Sequence, residues 1–164
     1  MITNRLKPLL PAAISEEQTG YVEGRQILNN IIQAHEVVDS LKSNKQAGMV
    51  IQIDLAKAYD KLGWSYIREV IRAYGFNQNR IRWVMALVTM TSFSILLNGA
   101  PSRTFTPSRG LRQGDVLSPF LFVLVMEWLG RAIKMTNAEG RIQGIKLTLD
   151  GAENTHQQFV DDTL

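Results

Sequence analysis

The sequence predicts an α+β domain in which helices pack on an antiparallel-leaning sheet, and three observations carry that reading. Helix-like and strand-like apolar periodicities alternate along the chain. The run Met49-Val50-Ile51-Gln52-Ile53-Asp54-Leu55 is nearly all apolar, the pattern of a central strand, with Asp54 at its carboxyl end. Asn98-Gly99 stands between two strand-like stretches, where that dipeptide favours a type I′ hairpin turn. With 164 residues, 45% hydrophobic and 20% charged, the chain can bury one sizeable core, and a single domain is expected.

Taken in order, Ile2, Leu6, Leu9 and Leu10 recur at helical spacing until Pro8 and Pro11 interrupt them, so residues 1–10 read as the tail of a helix. Ser15-Glu16-Glu17-Gln18 is a capping stretch, and the glycines of residues 19–25 mark an extended loop. Arg25 opens a helix whose apolar face is Ile27, Ile31, Ala34, Val37, Val38 and Leu41. His35 and Asp39 lie one turn apart on it and, with no third ligand nearby, belong to a solvated face.

After the Asp54 strand, residues 56–62 lead through Gly63 into a helix carrying Trp64, Ile67, Val70, Ile71 and Tyr74, which Gly75 stops in a left-handed cap. A helix over residues 79–90 follows, its stripe being Ile81, Val84, Met85 and Val88. Residues 92–97 and 103–106 are the arms of the hairpin. A glycine-punctuated loop over residues 108–115 then reaches an apolar helix with Ser118 as N-cap, Pro119 at the first position, and Leu121, Leu124, Val125, Trp128, Leu129 and Ile133 as its face. Two last strands, residues 144–149 and 156–160, flank a turn at Asp150-Gly151 and end at Asp161 and Asp162.

The net charge of +3 and the spread of arginines (Arg68, Arg72, Arg80, Arg82, Arg103, Arg109, Arg112) permit a polyanionic partner. The absence of cysteine excludes a disulfide framework and thiolate metal sites. No apolar run approaches the roughly 20 residues that span a bilayer, and residues 1–15 lack the order of a signal peptide. An intracellular setting, nucleus or cytoplasm, is expected, with no membrane partner.

Asp54 ends one apolar strand and Asp161-Asp162 end another, so neighbouring strands would bring the carboxylates together. Close carboxylates repel unless they hold cations, and oxygen-only donors favour Mg²⁺, with Mn²⁺ as a substitute. Two such ions about 3.5–4 Å apart form the clamp of in-line phosphoryl transfer. The loop from Arg109 to Asp115 adds guanidinium groups and backbone donors suited to phosphate.

At these residues the sequence resembles the reverse transcriptases of non-LTR (LINE-type) retrotransposons, most closely those of plant genomes. Four segments in order carry the resemblance: residues 18–26 with their Gly-Arg step, residues 53–60 (IDLAKAYD), residues 109–119 (RGLRQGDVLSP) and residues 159–162 (FVDD). It implies a polymerase palm-like antiparallel sheet packed with helices plus part of the fingers, residues 1–47 being partial fingers and 48–164 the fingers and palm core of one partial domain. It further implies RNA-directed DNA synthesis, with an RNA template, a DNA primer and deoxynucleoside triphosphates as partners. Asp54, Asp161 and Asp162 would be the catalytic and metal-binding carboxylates. Tyr59 would be the gate beneath the incoming sugar, Gln113 and Gly114 would meet the nucleotide with help from Arg112, and Arg25 would reach the triphosphate. Asp60 and Asp115 would hold loops.

Two departures accompany the resemblance. Val160 stands where the family more often has alanine, and Thr163 where it has an apolar residue. The segment is also expected to be truncated at both ends, without the strand completing the catalytic hairpin, the rest of the palm and the thumb, and hence inactive as written. The alternatives are a non-catalytic nucleic-acid-binding remnant, which an assay on primed templates with and without Mg²⁺ separates from a polymerase, and a nuclease, which would have no use for a sugar gate at Tyr59.

Overall fold

A computed structural model describes residues 2–45, 47–146 and 153–164; the turn expected at Asp150-Gly151 lies outside them. The architecture is α+β, with helices and short antiparallel strands, and it divides into two compact units: residues 3–56 with 119–164, and residues 57–118 together with Ile2.

In the first unit the amino-terminal helix continues past the point expected. Helix α1 (Ile2–Leu6) passes into a 3₁₀ turn (Lys7–Leu9) and helix α2 (Leu10–Ala13), because each proline sits at the start of the next piece, where a missing N–H costs nothing. Leu6, Leu10, Ile14 and Val22 join the core. That core is dominated by α7 (Ser118–Ala138), numbered in chain order, whose residues Leu121 to Glu127 are all buried. A helix apolar on nearly every side is covered all round, so the one-sided face expected for it is too narrow a description.

Helix α3 (Ile27–Ser43) begins two residues after Arg25, and its expected apolar face is not buried: Ile27 and Ile31 are exposed, while the buried residue is Asn30. His35 and Asp39 are both exposed, in keeping with a solvated face. Residues 49–55 are not a central strand either. Met49 is 79% exposed, Val50 and Ile51 are exposed, and only Ile53 makes a bridge. These side chains instead line one wall of an open apolar groove of about 410 Å³ with Ala34, Val37, Ile133 and Ile142.

The second unit holds α4 (Ala58–Lys61), α5 (Trp64–Ala73) and α6 (Gln78–Thr89), with α5 and α6 packed side by side through Ile67, Val70, Ile71, Ile81, Val84 and Met85. Gly75, at φ +79, ends α5 as expected, with Phe76 N–H donating to Ile71 O at 3.2 Å across the left-handed cap. Asn77 then caps α6 by accepting from Arg80 N–H at 2.9 Å. Strands β1 (Leu96–Leu97) and β2 (Ala100–Pro101) flank Asn98 and Gly99, both at positive φ, the type I′ geometry the dipeptide predicts. The returning arm starts earlier than residue 103. It also gains one residue between the Leu96–Pro101 pair and the Phe93–Phe105 bridge, a bulge that Ser102 fills by donating its N–H to Ile95 O and accepting Ile95 N–H on its hydroxyl.

The start of α7 is capped by Asp115 rather than by Ser118. One Asp115 oxygen accepts from Leu117 N–H, Ser118 N–H and the Ser118 hydroxyl at 3.1–3.2 Å, so Ser118 is itself the first helical residue.

The end of the chain pairs differently from expectation. β3 (Ile145–Lys146) pairs with β4 (Glu153–Asn154), while β5 (Gln158–Phe159) pairs with β6 (Asp162–Thr163). Residues 156–160 therefore start a second hairpin rather than close the first. That second hairpin includes its own short returning strand, which was expected to be missing. Thr163 is 3% exposed and exchanges both backbone hydrogen bonds with Ile53, at 2.8 and 3.0 Å. On the other side, residues 17–19 lie along β5: Gln18 pairs with Gln158 in parallel, Thr19 N–H donates to Gln158 O and Gln158 N–H to Glu17 O. The result is a narrow sheet strip ordered residues 17–19, β5, β6, Ile53.

Candidate active site

The strip joins the segments that carry the candidate carboxylates. Ile53 and Thr163 form an isolated antiparallel bridge, with Asp54 one residue after it on one side and Asp162 one residue before it on the other. Asp161 belongs to the two-residue turn between β5 and β6, where Phe159 pairs with Asp162. Asp54 and Asp162 are exposed and Asp161 is half-buried. Among the described residues, no group of three or more Asp, Glu or His side chains closes into a metal cage, and no ion pair neutralises these three carboxylates. Solvated oxygen donors on adjacent backbone suit a hard divalent cation in kind, and mutual repulsion keeps such carboxylates apart until a cation joins them.

The turn itself is unusual. Val160, its first central residue, has φ +58, whereas Asp161 is not at positive φ, the sign pattern of a type II′ turn. Glycine suits that position and a β-branched residue resists it, so the backbone at Val160 is strained.

A web of polar groups surrounds the strip. Asn30, buried on α3, donates its side-chain amide to Gln158 O at 2.8 Å and Glu17 O at 3.3 Å. Arg25 is bound up in the loop it follows: its guanidinium donates to the carbonyls of Ser15, Gln18 (2.8 Å), Ile14 (2.9 Å) and Pro11 (3.3 Å). Both terminal nitrogens are spent on backbone, so this arginine braces the loop instead of presenting a free fork to a triphosphate. From α7, buried Glu127 accepts from the N–H and hydroxyl of Ser15, at 2.9 and 3.0 Å, and from Arg131. Burial acts to raise the Glu17 carboxyl, but the hydrogen bond and charge of Lys134, 2.8 Å away, outweigh it and hold the group below the ordinary carboxylate range. Burial holds His156 below the usual imidazole value, against the opposing pull of the Glu17 charge.

In the second unit the other candidate residues come together. Gly110 N–H donates to Leu62 O at 2.7 Å, Leu111 N–H to Tyr59 O at 2.9 Å, and the Trp64 indole N–H to Gly110 O at 2.8 Å. The loop over residues 109–113 is thereby fastened to the segment bearing Tyr59. Gly110 is required twice: its φ is +93, and a Cβ there would stand 3.0 Å from Asp60 O and 3.2 Å from Tyr59 O. Beside this junction lies an open pocket of about 440 Å³ lined by Asp60, Phe93, Arg109, Gly110, Arg112 and Gln113, among others. Arg112, Gln113 and Gly114 are exposed. At Gly114 an added Cβ meets no protein atom within 4 Å, and its φ of +83 is what asks for glycine.

Sequence reasoning passed over Gln18, Asn30, Glu127 and the anchoring role of Gly110. Glu127 carried a legible signal, a lone carboxylate inside an otherwise apolar helix run. Gln18 and Asn30 carried none, because a polar side chain in a polar neighbourhood does not show that it is buried.

Comparison with known proteins bears on the family and the fold. A family model described as reverse transcriptase (RNA-dependent DNA polymerase) matches residues 1–164. An uncharacterised mitochondrial protein of Arabidopsis thaliana is 46% identical over 68 residues, 42% of this chain and 56% of that protein. The Pol polyprotein of a type-2 retrotransposable element of Drosophila melanogaster is 37% identical over 84 residues, 51% of this chain and 8% of that protein. A Pol polyprotein of a type-1 element of Popillia japonica is 26% identical over 148 residues, covering 90% of this chain and 20% of that protein. The chain thus spans about half or less of these relatives. Among solved structures, apo telomerase of Candida tropicalis, truncated from its C-terminal domain, superposes with a TM-score of 0.63 at 13% identity over 99% of this chain and 32% of that one, a likeness of fold. The chain belongs to the reverse transcriptase (RNA-dependent DNA polymerase) family, in its non-LTR retrotransposon form.

Proposed function

We propose that this chain is the part of a retrotransposon reverse transcriptase that holds the catalytic carboxylates and handles the incoming nucleotide, for RNA-templated DNA synthesis that consumes deoxynucleoside triphosphates. The observation that carries it is the Ile53–Thr163 bridge, which joins the segment ending in Asp54 to the hairpin that carries Asp161 and Asp162. Asp54, Asp161 and Asp162 are the groups that would hold Mg²⁺, which when bound supplies charge neutralisation and an activated 3′-hydroxyl. Gln113 and Arg112 line an open, arginine-bearing pocket, and Arg109 adds a second guanidinium there. Tyr59, five residues after Asp54, is proposed to exclude a 2′-hydroxyl by presenting a ring where that group would sit. The RNA template and DNA primer would bind chiefly through phosphate contacts, with steep salt dependence.

Primer extension on an RNA template, by a polymerase that carries this segment, tests the proposal. Asp54→Asn or Asp161→Ala should reduce extension at least about 10³-fold, and Tyr59→Val should admit ribonucleotides. Unchanged extension by Asp161→Ala would overturn the assignment. Template binding that persists without extension in the unsubstituted protein would favour a non-catalytic binder.

A further inference from the structure

We propose that Gln18 is a positioning residue for the catalytic turn, holding Val160 in its left-handed conformation and thereby fixing the backbone that carries Asp161 and Asp162. The inference rests on the reading of those aspartates as metal ligands and adds the group that aims them.

Gln18 is 0% exposed, and its amide grips a single residue, Val160, through the two peptide units on either side of its Cα. Its Oε1 accepts from Val160 N–H at 2.9 Å while its Nε2 donates to Val160 O at 3.2 Å. Oε1 also accepts from Gly20 N–H at 2.9 Å, so two backbone donors converge on that oxygen and dictate which way the amide faces. The grip is held in turn: Gln18 pairs with Gln158 in the strip, and Arg25 binds the Gln18 carbonyl at 2.8 Å. Gly20 closes the other side, since a Cβ there would stand 2.6 Å from Val160 Cγ2 and 2.7 Å from Val160 N.

The need for a grip follows from the residue it grips. A valine at φ +58 does not stay there unaided, because its branched Cβ collides with its own backbone. Strained conformations persist where the surroundings over-determine them. Here a buried side-chain amide satisfies both the N–H and the C=O of the strained residue, so relaxing Val160 to an ordinary conformation would break two hydrogen bonds and deprive the buried Gln18 Nε2 of its acceptor. Asp161 follows directly in the chain, and its direction is set by the peptide that Gln18 holds. The structure therefore places the control of carboxylate geometry on a residue distant in sequence, one that would touch neither nucleotide nor metal.

The test uses Mn²⁺ as the probe, its affinity read by electron paramagnetic resonance on the chain and on folded variants checked by circular dichroism. Gln18→Met should weaken Mn²⁺ binding about 10–100-fold, the usual cost of losing a group that orients ligands. Val160→Gly, which accepts positive φ without support, should restore binding in the double variant Gln18→Met/Val160→Gly to within about threefold of the starting protein. Unchanged Mn²⁺ binding in folded Gln18→Met, or absence of rescue, overturns the proposal. Should Asp54→Asn leave Mn²⁺ binding unaltered, the metal reading fails instead, whatever Gln18 does. Amide hydrogen exchange in the unsubstituted chain supplies a readout free of folding defects: Val160 N–H should be protected like a strand amide, and fast exchange there refutes the grip.

Discussion

Replacing Gly110 by alanine should loosen the junction between residues 109–113 and the Tyr59 segment, and its cost divides into parts. At φ +93 an L-residue sits in sparsely populated backbone space, about 1–3 kcal/mol. The new Cβ would then stand 3.0 Å from Asp60 O, 3.1 Å from Asp60 Cα and 3.2 Å from Tyr59 O, all backbone atoms that yield only if the loop moves. Moving it lengthens three hydrogen bonds of 2.7–2.9 Å, to Leu62, Tyr59 and Trp64, and losing the equivalent of one adds about 1 kcal/mol. The total is about 2–4 kcal/mol. Gly114→Ala isolates the first part, since its φ of +83 carries the backbone penalty while nothing lies within 4 Å of the added carbon. Urea unfolding followed by tryptophan fluorescence measures both, with Trp64 reporting on the junction. Equal costs for the two variants, or a Gly110→Ala change below about 0.5 kcal/mol, the range of featureless surface substitutions, would refute the contact argument.

Gly20→Ala should destabilise by about 1–3 kcal/mol through overpacking on Val160, measured by the same unfolding curves; a neutral result would mean the turn has room the structure does not show. Asn30→Ala removes the donor to Gln158 O and Glu17 O and should cost about 1–3 kcal/mol, whereas Ile31→Ala on the exposed face of α3 should cost little. Mg²⁺ or Mn²⁺ should raise the melting temperature by mass action, about 2.7 kcal/mol at a hundredfold excess over Kd, and Asp54→Asn should abolish the rise. Stability should fall with acid in a defined order. His156 is held below its ordinary value in the fold, so the unfolded chain takes up its proton first and stability drops as pH falls below about 6.5. Glu17, also lowered, adds a second loss through the carboxylate range. A flat stability between pH 7 and 5, or no change in that profile on His156→Leu, would contradict the assignment.

Much of the second unit was legible because its signals are local. Asn98-Gly99 dictates its own turn, Gly75 its own cap, and the stripes of α5 and α6 pack on each other. The first unit hides its logic in pairings between distant segments. An apolar run such as residues 49–55 reads as an interior strand, but whether it is covered depends on which strands arrive beside it, and here only Ile53 is met. The Asp150-Gly151 turn signal drew residues 156–160 into the wrong hairpin, since period-two patterning cannot say which neighbour a strand takes. The candidate carboxylates were read from their places at strand ends, and Tyr59, Arg112, Gln113 and Gly114 from the family resemblance. The side chains that hold their backbone in place were not, because Gln18 and Asn30 act through backbone groups that any sequence would offer.

The sheet strip has a consequence for the time course of folding. Its bonds join Gln18 to Val160 across 142 residues and Asn30 to Gln158 across 128, while the α5–α6 pair is local. Closing long loops costs chain entropy before any contact rewards it, so local helices form early and distant pairings late. The segments bearing Asp54 and Asp161 should therefore meet near the end of folding, after α5 and α6 are in place. Pulse-labelled hydrogen exchange should protect Ile71 and Val84 before Thr163 and Val160. Until that last closure, the apolar edge of residues 49–53 stands without its one strand partner, and a chain delayed there is a template for pairing with another copy.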